Sequence, residues 1–392
     1  MRRHLFLIVM LMLVALTGGT TALAAGPLVS GLGSLTGFLL EEEPRACDSG
    51  CVSGCDSGCG GTCCYYDPKW TVSAGAIFLH RNDPTPRTLL VDPQDGSELM
   101  NVMDLTPGWG GGPRFEITRH FQCGVDFEIE LFNIDNWATR AAAQNASPSI
   151  GESWWDAFTF DDVRAYYGTD LFNLEFNVRW PLFGSPWLKG LAGLRYANLD
   201  EEFRAEVDLI VGQTTLSNWG RLSLDNDLYG VQIGLEPVFW NPCGPLRVDG
   251  YLKTGLYGND VDWLLTAGGD LQTRYWDKKG CHAAFIGEIA LKVTYDFCRC
   301  RCKPCCGGSE DCGGSEGCGG SEGCGTAACC SVCRRWSVFA GYEALWLSGV
   351  ATAEQIKSEI IYDSAFYHGA VVGIEIPLGR LCCSPKKSCR CD

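Results

Sequence analysis

Cysteine and histidine are the residue types in this chain that could carry redox or metal chemistry, and their spacing is unusual. The 24 cysteines gather at 47–64, 298–333 and 382–391, with Cys123, Cys243 and Cys281 standing alone. In CDSGCVSGCDSGCGGTCC a cysteine recurs every fourth residue from Cys47 to Cys63. The strings GGSEDC, GGSEGC and GGSEGC space Cys312, Cys318 and Cys324 evenly. Such repeats hold nothing apolar to bury, so only cross-links or a metal could order them. Zinc sites usually combine CxxC pairs at a defined separation, often with histidine. Here the spacings are repetitive and histidines are distant; Cys330-Ser331-Val332-Cys333 is a CxxC without such a partner. Disulfides, within or between chains, therefore fit better than a metal site. The candidates are Cys47, Cys51, Cys55, Cys59, Cys63, Cys123, Cys243, Cys298, Cys312, Cys318, Cys324, Cys333, Cys382 and Cys391. Spacing alone leaves their pairing open.

The five histidines offer less. His4 lies in the leader. His80, His120, His282 and His368 all fall near expected strand ends. His80, His282 and His368 could meet at one rim beside loop aspartates, as in outer-membrane proteases; solvated rim histidines are the plainer reading. No nucleophile elbow joins a strand to a helix and no HExxH is present. Gly110-Gly111-Gly112 precedes a strand, which is not the context of a phosphate cradle. The chain reads as a non-enzyme with no cofactor.

The elements that would position these residues are strands. In LFNLEFNVRW (171–180), Phe172, Leu174, Phe176, Val178 and Trp180 alternate with Asn173, Glu175, Asn177 and Arg179. That period of two puts one set on each face of a strand. The same pattern recurs from Trp70, at 113–121, 125–133, 187–199, 227–240, 246–257, 283–297, 336–347 and 368–378. The connections alternate long and short, with the second cysteine array standing in one short-turn position. The long ones, 81–112, 134–169, 200–225, 258–280 and 348–365, read as irregular loops, and the first two could each hide a hairpin. Such asymmetry is that of an outer-membrane barrel, with short periplasmic turns and long outer loops. The expected fold is all-β: an antiparallel transmembrane β-barrel of about ten strands, up to fourteen, with cysteine-rich periplasmic extensions. On that topology every cysteine except Cys281 falls at the short-turn end.

Bulk properties agree. Aromatics make up 11 % of residues and glycine 49 positions against 5 methionines, a balance that favours strands and turns over packed helices. A formal charge of −16 argues against nucleic acid as a partner. Arg2 and Arg3, the apolar run Leu5–Leu16 and Ala22-Leu23-Ala24 read as a cleaved signal peptide, 1–24. A linker with the first cysteine array follows at 25–69, the barrel at 70–378 with a cysteine-rich insertion at 298–335, and a cysteine/lysine tail at 379–392.

Charge facing lipid near the membrane midplane costs about 2–4 kcal/mol for Arg or Lys. The uniformly apolar face should therefore point outward. The lumen then receives Arg114, Glu116, Asp126, Glu128, Glu130, Glu175, Arg179, Lys189, Arg195, Glu236, Arg247, Asp249, Lys253, Glu288, Lys292, Glu343 and Glu375. Both signs are present, so pairing across the lumen would fill or narrow it. The alternative is a soluble secreted barrel that binds a ligand, its apolar face inward and its charges in water. Tryptophans near strand ends, Trp70, Trp180, Trp187, Trp240, Trp336 and Trp346, favour the membrane reading because aromatic girdles mark both interfaces.

GLRYANLDEEF (193–203), NDLYGVQIG (226–234) and GLYGN (255–259) resemble segments of the outer-membrane β-barrel proteins of planctomycete bacteria, families that often carry cysteine-rich stretches. The resemblance covers roughly 170–300 well and the rest of the chain loosely, and implies a porin-like barrel in the bacterial outer membrane, without catalytic residues. The expected partners are the lipid bilayer and, through disulfides, the chain itself or envelope proteins. The dense GSE-type cysteine repeats inside a turn depart from that pattern.

Overall fold

The computed structural model describes residues 69–378 apart from 85, 122–123, 149–158, 186, 212–213, 242–244, 271–272, 304–328 and 354–359. Twelve strands follow one another: β1 (Trp70–Arg81), β2 (Thr88–Val91), β3 (Glu98–Asn101), β4 (Trp109–His120), β5 (Asp126–Pro148), β6 (Phe160–Pro181), β7 (Leu188–Val211), β8 (Thr214–Trp240), β9 (Leu246–Gly269), β10 (Arg274–Lys303), β11 (Cys329–Ala351) and β12 (Tyr362–Leu378). Ten of them close a ring in the order β5-β4-β1-β12-β11-β10-β9-β8-β7-β6, with β6 pairing back to β5. Every pairing is antiparallel. The chain is thus a closed ten-stranded transmembrane β-barrel, and each alternating stretch read from the sequence lies on one of its walls. No helix among the described residues is long and apolar enough to cross a membrane.

The long connections differ from expectation. Residues 200–225 and 258–280 are mostly not irregular, because β7 and β8 pair as far as Val211↔Thr214 and β9 and β10 as far as Ala267↔Arg274. In 134–169, β5 and β6 remain paired to Ala146↔Phe160. Strands β5 to β11 run 22 to 30 residues, about twice the 9–11 needed to cross a bilayer. About half of each of these seven walls therefore stands clear of the membrane as a continued barrel, whereas β1 and β4, at 12 residues each, are little longer than a crossing.

The physical reason the extensions read as loops is an inversion of polarity. On β7, outward-facing Leu194 and Tyr196 give way to Asp200, Glu202, Arg204 and Glu206. Inward-facing Lys189 and Arg195 give way to Leu199, Phe203 and Val207. The switch occurs along one row: Tyr196 pairs with Tyr229 and Tyr229 with Gly258, while the next outward row is Asn198, Asp227, Asp260 and Cys281. Below that row the barrel is apolar outside and charged inside, as lipid demands. Above it the barrel is apolar inside and charged outside, as water demands.

The region 81–112 holds the hairpin suspected there, β2–β3, but not as wall. It pairs with the top of β5 through Leu90↔Pro148 and Val91↔Ser147. A 3-10 turn, Val102–Leu105, follows, opened by Asn101, whose Oδ1 accepts from the Met103 amide while Asp104 accepts from the Asn101 amide at 2.7 Å. This capping box fixes how Val102 and Leu105 enter the interior.

One seam is short. Strands β4 and β5 share only the seven pairs from Arg114↔Phe132 to His120↔Asp126. Pro113 has no N–H to continue the ladder, and β5 kinks at Asn136, whose φ is 58°. The Trp137 ring fills the divergence, donating from Nε1 to the Gly108 carbonyl at 2.9 Å. Gly110 is required beneath it, since a Cβ there would lie 2.4 Å from the indole.

Candidate functional site: a lumen filled in three layers

The inward side chains of the membrane-level walls form a buried ion-pair network. At its centre Lys253 on β9 reaches Glu175 on β6 at 2.9 Å, Glu130 on β5 at 3.2 Å and Glu288 on β10 at 3.5 Å. Arg195 bonds Glu288 at 2.6 Å and lies 3.3 Å from Glu175. Arg114 joins Glu130 at 2.7 Å and also pairs with Glu343, which accepts from the Tyr251 hydroxyl at 2.8 Å. These groups come from seven different walls, and Glu175 and Glu343 are wholly buried. Stripping water from such ions carries a large desolvation penalty, offset only when each charge is paired and its remaining lone pairs are bonded.

Amides supply that bonding around Glu175 and Glu128, while one buried oxygen each of Glu130, Glu288 and Glu343 keeps no hydrogen-bond partner among the described residues. Among the seventeen charges expected in the lumen, ten are acids and seven are bases, so neutral donors must make up the difference. Asn173, Asn177 and Gln232 donate to Glu175 at 3.1, 3.1 and 2.8 Å, and Asn177 also donates to Glu128 at 3.1 Å.

Two further groups lie toward the short-turn end. Arg179 bonds Glu128 at 2.6 Å and lies 3.5 Å from Glu236, while Asp126 takes Lys189 at 2.6 Å and His120 at 2.7 Å. Lys292 bonds Glu375 at 3.0 Å, and Arg247 bonds Asp249 at 2.8 Å. Glu116 is half-buried and accepts from Thr118 at 3.1 Å. All seventeen residues thus face inward, in one connected set and two flanking clusters.

Above the charges lies an apolar layer that the seventeen did not anticipate. Ile77, Leu79, Phe132, Ile134, Leu171, Leu199, Leu228, Ile286, Leu347 and Tyr367 pack across the lumen with Trp137. Two asparagines fasten it. Asn226 accepts from the Ala351 amide at 2.7 Å and donates to the Leu199 carbonyl at 3.2 Å, and Asn259 donates to the Gly349 carbonyl at 3.0 Å.

A third layer closes the mouth opposite the short turns. Leu89, Leu90, Met100, Val102 and Leu105 of the hairpin and its turn pack on Val163, Tyr167, Val207, Leu222, Leu224, Val261 and Trp263. Arg81 and Glu201 form a buried pair there at 2.6 Å, and Glu201 also accepts from the Ala353 amide at 2.7 Å. Sequence reasoning missed both, because each lay in a stretch read as loop. The signal was present: Glu201 is the lone charge in the apolar register Leu199, Phe203, Ala205, Val207. The cavity beneath the hairpin has room for about one water molecule.

The outer surface matches the inner one. Ile233 is 64 % exposed and Leu256 71 %, within a continuous apolar belt. Trp180, Trp187, Trp240 and Trp336 edge it at the short-turn end, where Trp336 stacks on Phe297 at 4.2 Å; Trp109 and Trp346 edge it at the other.

The three rim histidines do not gather. His80 and His368 face outward beside Trp109, whereas His282 stacks on Tyr362 at 4.2 Å. Among the described residues no group of three or more His, Cys, Asp or Glu converges as a metal site.

Of the disulfide candidates, Cys298 and Cys333 lie on the β10–β11 ladder, opposite Arg335 and Cys300. The other twelve fall outside the described residues, although the strand ends flanking Cys123 and Cys243 are both at the short-turn end. Cys281 is a free, exposed thiol at the opposite end.

No family model matches this chain, and no curated protein does. Among solved structures it is similar to a Pseudomonas aeruginosa FadL homologue, with 9 % identity over 79 % of this chain and 90 % of that one and a TM-score of 0.27. It is similar to the outer membrane protease OmpT from Escherichia coli at 6 % identity, over 78 % and 95 %, with a TM-score of 0.30. The Ralstonia pickettii toluene transporter TbuX gives 9 %, 80 %, 90 % and 0.28. At such scores the fold rests on the chain's own ladder.

Proposed function

We propose that, of the structural and porin-like roles open to an outer-membrane barrel, this chain fills the structural one, in the bacterial outer membrane. It anchors periplasmic cysteine arrays that form disulfides for envelope cross-linking. The observation that carries the reading is the filled lumen: ion pairs, an apolar layer and an inserted hairpin succeed one another along one axis. A barrel so filled offers no path for bulk diffusion, so its use lies in what it holds in place. The belt makes lipid its partner, and the short turns at one end, opposite the extended walls, support a periplasmic position for those turns and for the cysteine arrays next to them in the chain. The leader at 1–24 would deliver the chain to a compartment where disulfides persist. The planctomycete resemblance supports the same assignment, since its three motifs lie on β7, β8 and β9, the walls that carry the belt.

The soluble ligand-binding alternative describes the upper half of the barrel, which is apolar inside and charged outside. It does not account for the belt below. Membrane fractionation with heat-modifiable gel mobility tests the location; a mature chain that stays in the aqueous fraction without detergent overturns it. Reducing against non-reducing gels test the cross-links, and a monomer with all thiols free in both overturns that part. Planar-bilayer recording is expected to show no steady conductance.

A further inference from the structure

The histidines left over from the lumen point to a metal site. His80 on β1 and His368 on β12 are direct register partners. Their rings are 5.6 Å apart between centroids, both face outward, and Trp109 packs edge-on against each, at 5.5 and 6.4 Å. The seam they straddle is where the first and last strands of the barrel wall meet.

We infer that His80 and His368 form a clasp for a divalent transition-metal ion, of the zinc or copper type, across the closing seam of the barrel. A zinc–imidazole bond of about 2.0–2.1 Å places the metal roughly 3.2 Å from each ring centre. Two rings 5.6 Å apart then subtend about 120° at the ion, within the range of trigonal and distorted tetrahedral sites. Nδ1 of His368 bonds the Tyr342 hydroxyl at 2.5 Å. A ligating histidine usually donates its other ring N–H to an oxygen, which fixes the tautomer and frees the second nitrogen for the metal. Among the described residues no carboxylate bonds either ring, unlike His120, which Asp126 and Thr71 hold. Both positions lie near the outer edge of the apolar belt, two residues from Phe78 and Phe366, where water supplies the remaining coordination positions. A metal there binds only the closed barrel and therefore stabilises closure by mass action.

The test uses the full chain in detergent micelles with accessible thiols blocked by N-ethylmaleimide. Addition of Cu2+ should give a copper electron-paramagnetic-resonance spectrum with coupling to two nitrogens. His80→Ala and His368→Ala should each abolish it, and His282→Ala should leave it intact. Zn2+ should raise the temperature at which gel mobility shifts in the unsubstituted chain but in neither seam variant. Equal copper spectra, or equal zinc shifts, in all four proteins would overturn the clasp. Mobility in EDTA reports whether each variant folds; should alanine prevent folding, glutamine at the same positions repeats the comparison. The outcome is independent of whether the cysteine arrays cross-link.

Discussion

Lys253 Nζ sits 2.9 Å from Glu175 Oε2, and these two residues come from strands that do not pair with each other. Only closure of the ring brings β9 and β6 together across the lumen, so the contact reports the whole barrel. Removing one partner leaves a buried charge uncompensated. Lys253→Ala is expected to destabilise by about 3–5 kcal/mol, seen as a gel-mobility transition at lower temperature. Lys189→Ala, at the more exposed short-turn end, should cost far less. Equal effects from the two would contradict the central placement of Lys253.

Trp137 closes the short β4–β5 seam in place of ladder hydrogen bonds. Trp137→Ala deletes a buried ring and its bond to Gly108; such truncations cost about 3–5 kcal/mol. Amide hydrogen exchange should accelerate first at 109–113 and 133–138 while the β7–β8 ladder stays protected. Uniform acceleration around the barrel would show that Trp137 is not a local closure.

The polarity inversion fixes where lipid ends. Arginine at Ile233, within the belt, should cost about 2–4 kcal/mol, and at Leu264, outward but above the acidic row, about 0–1 kcal/mol. Refolding yield into liposomes of the two variants measures the difference. Leu264→Arg proving as costly as Ile233→Arg would move the membrane boundary upward.

Cys281 lies above the belt beside Asp260, and the hydrogen bond between its thiol and that carboxylate pushes its pKa above the ordinary thiol value. A raised pKa means less thiolate at any pH below it, and the thiolate is the nucleophile. Alkylation by a membrane-impermeant maleimide at pH 8 should therefore be slow in the parent chain and faster in Asp260→Asn. Labelling should succeed from outside intact cells, and protection there would reverse the proposed orientation.

The ten walls were legible because each carries period-two alternation over a belt-length segment, as 171–180 does on β6. The inward seventeen were legible for the same reason: parity places a residue on a face with no reference to neighbours. The upper halves were misread because the alternation survives there with its phase reversed. In LDEEFRAEVDLIV (199–211) the apolar residues simply change sides, and a pattern sought with one polarity reads as noise. The hairpin's location was anticipated, but not its insertion into the mouth, since Leu89, Val102 and Leu105 look like ordinary loop apolars until the cavity they enter exists.

By itself the sequence determined the all-β class, the membrane-level strand segments and the parity of each, which are local properties of a chain whose side chains repeat every two residues. Tertiary structure alone decided which residues meet. Pairing Lys253 with Glu130 and Glu175, or His80 with His368, requires the stagger and closure of the ring, and those arise from the sum of every ladder around it rather than from any one segment. It also decided that charge fills the barrel below one row and apolar side chains fill it above, because the medium outside the wall changes there from lipid to water.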